Sequence, residues 1–416
     1  MKPRDAAMLA ATLAAACSTG RAPPLGDEVT VVGNGASNPT LAVDPAAGTF
    51  YVAWVGTEAG QSNVYLARSF DAATFRKAVR VNDVPGDAAP HEQAPAQVAV
   101  GPEGHVYIAW QNNTAAAGRF PYSDIRLARS TNGGETFEPA ITVNDDADGP
   151  PASHTFHDIE VGPDGVVYVS WIDSRARPAM RADSGVAPPG PDIRVARSSD
   201  HGVTFEPSVV VASDACPCCR TALAAGAGGK VWVAWRDVGP GGVRDIVVAR
   251  SDDRGRSFRS PVVVHADRWK IDGCPHAGPG LAVDGAGRLH VAWYTAADGR
   301  AGLHRAVSRD GGGSFGPPAP LVTGAWVPVS HARVAAAGDA VWLVWEDRRL
   351  DPSRIAFATL AAADMAGAAR WQTSDIAGSD LPFAGTGTSP AIAAAGALRA
   401  IAWLDGGAIR FRGTKE

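Results

Sequence analysis

Four of the five cysteines in this 416-residue chain fall in two short motifs, Cys216-Pro-Cys-Cys-Arg220 and Gly273-Cys-Pro-His276. Cys216 stands nineteen residues before Trp235, and Cys274 stands nineteen before Trp293. Cys218 and His276 each stand seventeen before those same tryptophans. Equal distance from a recurring landmark marks equivalent positions in successive repeats. His154 also lies seventeen residues before a tryptophan, Trp171, while His91, His157 and His331 fall close to the corresponding place in other repeats. Thiolate and imidazole converging in this way suit a soft or borderline ion, copper or zinc. On this reading Cys216, Cys218, Cys219 and Cys274 are ligands or a dithiol switch, with His276 and His154 as further ligands and His157, His331 and His91 in the same class of loop. Two plainer readings stand beside it. In an oxidising compartment Cys216 could pair with Cys274, leaving Cys218 and Cys219 as a vicinal or reducible pair. Isolated histidines such as His105, His201, His265, His290 and His304 read as polar caps of loops.

Charged residues gather just after the tryptophans: Asp173, Asp237, Asp347 and Asp405, with Arg175, Arg236, Arg348 and Arg349 beside them. Mutual ion pairing that neutralises buried charge is one reading. The other is a polar cup for a small anionic molecule or a glycan, with Asp237, Arg236, Asp173, Asp347 and Arg348 as the catalytic or substrate-binding candidates. The loop from Asp173 to Pro191, with four prolines and three arginines, reads as a lid over it.

Seven tryptophans set the frame that must position these groups. Trp54, Trp110, Trp171, Trp235, Trp293, Trp345 and Trp403 each end a short apolar run, at intervals of 52 to 64 residues. Within one period Gln97-Val-Ala-Val100 turns through Gly-Pro-Glu-Gly into His105-Val-Tyr-Ile-Ala-Trp110. Asp124-Ile-Arg-Leu-Ala-Arg-Ser130 follows, and Ala140-Ile-Thr-Val143 closes the unit. Four antiparallel strands repeated radially predict an all-β fold, a seven-bladed β-propeller. The last repeat holds only three strands, and Glu28-Val-Thr-Val-Val-Gly-Asn34 precedes the first full unit, so the N-terminal strand is expected to complete the last blade and leave no open edge. The sixth unit is the weakest, because Ala361-Ala-Ala-Asp-Met-Ala-Gly-Ala-Ala makes a poor turn, which leaves six blades as the alternative.

The turns after the third strands carry a shared form, Ser-x-Asp/Asn-x-Gly-x-Ser/Thr-Phe. It occurs at Ser130 to Phe137, Ser198 to Phe205, Ser251 to Phe258 and Ser308 to Phe315, and a shortened copy runs from Ser69 to Phe75. An acidic or amide side chain can bond the amides of its own turn while glycine takes the positive φ. These turns resemble the Asp-box, or bacterial neuraminidase repeat, of sialidase-like propellers. That resemblance implies the fold more than an activity. Sialidases hold a substrate carboxylate with three arginines, the first opening the first blade, and use a Tyr–Glu nucleophile pair with an Asp acid/base. Here the first blade opens with Gly35-Ala-Ser-Asn-Pro-Thr-Leu41, without arginine, and no tyrosine follows Tyr294.

Composition fits a large exported β protein: 45% apolar residues supply a core, and 47 glycines and 31 prolines fall between the strands as turns. The net charge of −5 with scattered signs gives no basic stripe and argues against nucleic acid. Lys2 and Arg4 precede a short apolar stretch that ends in small residues before Cys17, the pattern of an export leader over residues 1–16. Leu13-Ala-Ala-Ala-Cys17 looks like a lipoprotein cleavage site, which makes Cys17 the lipidated residue, 17–27 a tether and 28–416 one propeller domain. The expectation is an exported monomer, periplasmic or at the cell surface, touching a membrane only through its lipid anchor. The leading function is metal binding, or metal- and thiol-dependent chemistry on a small ligand, at a Cys/His site at the channel mouth. An exo-α-sialidase type of glycoside hydrolase and a non-catalytic binding propeller are the alternatives.

Overall fold

The apolar runs that end in tryptophan are buried on both faces, which is why they read as continuous rather than alternating. The computed structural model describes residues 25–112, 122–176, 190–324, 327–360 and 383–414. It contains seven four-stranded antiparallel sheets. Blade 1 comprises β2 (Thr40–Asp44), β3 (Thr49–Glu58), β4 (Gln61–Ser69) and β5 (Val79–Arg80), and blade 2 comprises β6 (Gln97–Val100), β7 (Val106–Gln111), β8 (Ile125–Ser130) and β9 (Ile141–Thr142). Blade 3 holds β10 (His154–Val161), β11 (Val167–Asp173), β12 (Asp192–Ser198) and β13 (Val209–Ala212). Blade 4 holds β14 (Ala222–Gly226), β15 (Lys230–Arg236), β16 (Ile246–Ser251) and β17 (Val262–Val263). Blade 5 is β18 (Gly280–Val283), β19 (Leu289–Thr295), β20 (Gly302–Ser308) and β21 (Ala319–Thr323). Blade 6 is β22 (Ala332–Ala337), β23 (Ala340–Asp347), β24 (Arg354–Leu360) and β25 (Phe383–Thr386). In blade 7, β26 (Thr388–Ala395), β27 (Leu398–Asp405) and β28 (Ala408–Thr414) are completed by β1 (Val29–Val32), which pairs Val29 with Phe411.

The ring therefore has seven blades and closes through the N-terminal strand, as the repeat predicts, and the six-bladed alternative falls. Closure covers both edges that an open array would leave unpaired. Each landmark tryptophan sits in the second strand of its blade, at most 3% exposed, packed between neighbouring sheets. The fourth strands of blades 1 and 2 are two residues long because an asparagine side chain continues the ladder. Asn82 Oδ1 accepts the amide of Val64, and Asn144 Oδ1 accepts that of Ile125. The leader, Cys17, the start of the tether, most of the lid loop and the Ala361 segment lie outside the described residues. No helix among those described is long and apolar enough to cross a membrane.

The Ser-x-Asp-x-Gly turns fold as their residues dictate. In the third blade Ser198 Oγ accepts the amide of Gly202 at 2.8 Å, and Asp200 takes the amide of Thr204 at 3.0 Å and its hydroxyl at 2.6 Å. Gly202 has φ +79°, and a Cβ there would stand 3.0 Å from the Tyr107 ring of blade 2. Both the backbone angle and the close approach require glycine. Burial alone would raise the pKa of Asp200, but the Thr204 hydroxyl and amide and the Ser198 hydroxyl bring it down to about 2. In blade 4 burial is likewise outweighed by the Ser257 and Ser251 hydroxyls, and Asp253 falls to about 2. A carboxylate depressed on folding contributes stability that is full above its ordinary value of 3.8 and is lost as the pH falls through about 2. Asn132 fills the same place in blade 2 without a charge, accepting the Thr136 amide and donating to its hydroxyl. Replacing Asp200 and Asp253 together by asparagine is expected to keep the fold and to flatten the loss of stability between roughly pH 4 and pH 2. Urea unfolding at both pH values checks this, and an unchanged acid slope contradicts it.

Candidate functional site

The Cys216 motif lies in the connection from β13 to β14, pinned at both ends. The Cys216 amide donates to Arg236 O at 3.0 Å, the Ala215 amide to Pro191 O at 3.0 Å, and the Thr221 amide to Phe156 O at 3.1 Å. Between these anchors the three thiols point inward. Cys216 Sγ is 3.7 Å from Cys218 Sγ and 3.5 Å from Cys219 Sγ, and Cys218 and Cys219 are 4.0 Å apart. All three are at most 5% exposed. Cys274, on the connection into blade 5, is exposed and brings its thiol against those of Cys216 and Cys218. None of the four forms a disulfide. Arg244 donates through Nη1 to Cys216 Sγ at 3.1 Å.

The sulfurs do not ionise alike. Contacts with the thiols of Cys218, Cys219 and Cys274 hold the Cys216 pKa far below the ordinary thiol range. Hydrogen bonds to Cys216 and Cys219 push Cys218 up, while burial and then Cys216 push Cys219 up to about 12. The chemistry is that of a nucleophilic or metal-binding thiolate with three thiols ready to ionise against an ion.

The histidines divide into three groups. His91 meets Phe156 edge-on at 5.4 Å between centroids, and Phe156 packs with Cys216, Cys218 and Cys219 in one apolar cluster. Crowding by the loops around it, and then the nearby His276, hold the His91 imidazole below its ordinary range. Phe156 and His276 both adopt left-handed backbone, with φ 56° and 50°. Strained non-glycine residues on either side of the thiols are a common mark of a functional site. His154, despite its matching distance from a tryptophan, joins a different assembly. It lies 3.0 Å from Asp146 and 3.5 Å from Asp173, and its Nδ1 is 2.6 Å from Ser123 O. His157 is buried against Ala109 O at 3.1 Å, and that burial lowers its pKa to about 4. His331 is buried at the channel mouth, 2.9 Å from Gln93 Nε2, and burial and then Arg220 keep it neutral. The structure thus brings together Cys216, Cys218, Cys219 and Cys274 with His91 and His276 near them, and places His154, His157 and His331 elsewhere.

The residues after the tryptophans are engaged with one another. Asp173 is fully buried, accepts Trp171 Nε1 at 2.8 Å and pairs with Arg175 at 2.8 Å. Asp347 pairs with Arg349 at 2.6 Å, and Arg348 pairs with Glu346 at 2.9 Å and Glu92 at 3.3 Å. Arg236 donates to three backbone carbonyls. Asp237 accepts Trp235 Nε1 at 3.3 Å, and burial raises its pKa. Ion pairing, the plainer of the two readings, describes most of this face.

Arg220, which follows Cys219 in the motif, lines a cleft at the channel mouth with Arg333, His331, Glu92 and Glu346. Arg333 also lines the central channel, whose walls include Asp158 and Glu160. Burial in the ring and then the Asp158 charge raise Glu160 to about 8, so it is protonated at neutral pH. Arg244, Arg333 and Glu160 carried no signal in the sequence, because Arg333 and Glu160 face a channel lined by several blades and Arg244 meets Cys216 only through the folded loops of blade 4. Arg220 stood in the cysteine motif but without an assigned role.

No protein-family model matches this chain, and no curated protein does. Among solved structures the chain is similar to an ulvan lyase of polysaccharide lyase family PL25, at TM-score 0.55 and 14% identity over 92% of this chain and 95% of that one. It is also similar to the GH93 α-L-arabinofuranosidase of Fusarium graminearum, at TM-score 0.52 and 11% identity over 82% and 99% of the two chains. A Hadza microbial sialidase shares 14% identity over 85% of this chain and 73% of that one, at TM-score 0.49. At such identities the likeness to the lyase and the arabinofuranosidase is one of fold alone.

Proposed function

We infer that this propeller is a metal-binding protein whose ion is held by Cys216, Cys218 and Cys219, with Cys274 as the fourth sulfur. The observation that supports this is the spacing of the three buried thiols, 3.5 to 4.0 Å. Two thiolates on one tetrahedral zinc, each with a Zn–S distance of about 2.3 Å, stand about 3.8 Å apart. The donor set is all sulfur, which selects a soft or borderline ion of the copper(I) or zinc class over calcium or magnesium. Arg244 offsets part of the negative charge that several thiolates would accumulate. In an exported chain anchored through Cys17, a bound ion would also protect these thiols from oxidation. The adjoining mouth, with Arg220 and Arg333, suits an anionic small molecule or a sugar acid as the ligand that meets the site.

Loading with cobalt tests this directly. The protein prepared without chelator is expected to contain copper or zinc as isolated and, after that ion is removed, to bind cobalt at the thiols with a thiolate-to-metal charge-transfer band. Cys216→Ser and Cys218→Ser are each expected to abolish the band. A band of unchanged intensity in both variants, or four thiols lost to disulfides in the isolated protein, would overturn the assignment.

A further inference from the structure

On the opposite end of the ring, where the Ser-x-Asp-x-Gly turns lie, Glu103, His105 and His201 form a second cluster. Their ligand atoms all lie within 4.8 Å of one another. Glu103 occupies the turn between β6 and β7, and His105 leads into β7. His201 comes from the turn of the next blade, ninety-six residues further on. Glu103 Oε2 is 3.9 Å from His105 Nδ1 and 3.7 Å from His201 Nδ1, and the two imidazoles meet edge-on at 5.5 Å.

The backbone of His201 argues that this meeting has a use. Its position in the turn is left-handed in every copy, and glycine fills it in two, Gly133 and Gly311. His201 adopts φ 60° there, a conformation that costs a β-carbon residue stability. Arg254 accepts the same cost in the next blade, and there the return is plain: its guanidinium reaches back to Asp164 in the preceding blade's turn at 2.8 Å. Glu103 is the counterpart of Asp164, so His201 reaches back in the same way. Its contact at 3.7 Å is much looser than the arginine's, and a second imidazole, His105, stands beside it where blade 3 has Val166.

We propose that Glu103, His105 and His201 bind a divalent ion of the zinc class and clamp blade 2 to blade 3. Two imidazoles and one carboxylate are a zinc donor set, and they leave a fourth position for water or a ligand. Ligand atoms about 2.0 to 2.2 Å from one ion stand roughly 3.4 Å apart, so the carboxylate–imidazole distances must close by about half an ångström and the two imidazole nitrogens by at most about 1.4 Å. Glu103 is 59% exposed and His201 42% exposed in their side chains, which gives both room to make that movement. Calcium is disfavoured by the two nitrogens. This site is independent of the thiol cluster, which lies on connections that open at the other end of the ring.

Equilibrium dialysis of the full chain against zinc chloride provides the test. His201→Gly and His105→Gln are each expected to bind one zinc fewer than the wild type, with the cobalt–thiolate band untouched. A second measurement guards against a folding defect. In chelator, His201→Gly is expected to melt at or above the wild-type temperature, since glycine relieves the left-handed strain. Added zinc should then raise the wild-type melting temperature by more than that of the variant. Equal zinc counts in the wild type and both variants overturn the proposal, as does an equal zinc-induced rise in melting temperature.

Discussion

Replacing Arg236 by alanine is expected to destabilise the propeller by about 4 kcal/mol, a large part of what a domain has to lose. The guanidinium is 1% exposed and donates to Ala277 O at 3.0 Å, Arg244 O at 2.6 Å and Tyr294 O at 2.7 Å. It also lies 4.9 Å over the Trp269 ring. Those contacts join blade 4 to the connection and second strand of blade 5, next to the Cys274 loop. Alanine leaves three carbonyls unpartnered in a dry interior and a cavity beneath the tryptophan. Lysine should rescue little, because a single ammonium cannot reach three carbonyls disposed around a planar fork. Urea unfolding of both variants decides it, and a loss under about 1 kcal/mol for alanine would show that Arg236 does not hold the blades together.

Asp173→Ala carries the second large effect, again about 4 kcal/mol. This carboxylate is wholly buried and accepts the Trp171 indole at 2.8 Å, the Arg175 amide at 2.9 Å and Arg175 Nε at 3.0 Å. His154 and Arg194 stand 3.5 and 3.7 Å away. Removing it leaves the Trp171 indole and the Arg175 amide without their acceptor, and leaves Asp145 and Asp146 alone to balance Arg175 and His154. High salt should not restore the loss, because ions screen exposed pairs far better than buried ones. A double-mutant cycle between Asp173→Ala and Arg175→Ala should give a coupling above about 1 kcal/mol, and additive effects would contradict the network. Both predictions concern residues that the sequence marks equally well as substrate groups. A loss of stability in each would assign them to the frame around the site.

The histidines show why chain spacing alone misleads about that site. His154 and His276 stand at the same distance from a tryptophan, yet they occupy different surroundings. Strand β10 begins at His154 and runs eight residues with a register shift between Thr155 and Asp158, which pairs His154 with Asp173. Strand β18 is only four residues long, so His276 stays in the loop before it, in left-handed backbone. Different strand starts and a bulge turn equal offsets into unequal places. His201 shows the reverse: a residue that reads as a loop cap meets His105 because two blades pack side by side.

The folded ring chose seven blades over six, but the repeated blade, its closure by the N-terminal strand and the convergence of the four cysteines are legible along the chain. Each of these rests on local periodicity, turn chemistry and short-range spacing, which the chain carries with it wherever it folds. Folding alone reveals which charges are spent on one another, that Arg244 donates to Cys216, that His154 faces Asp146 and Asp173, and that Glu103, His105 and His201 share a corner. The last of these joins residues ninety-six apart and exists only once blade 2 packs against blade 3, while the others lie within one blade and its loops and depend on strand starts and loop geometry that spacing alone does not show.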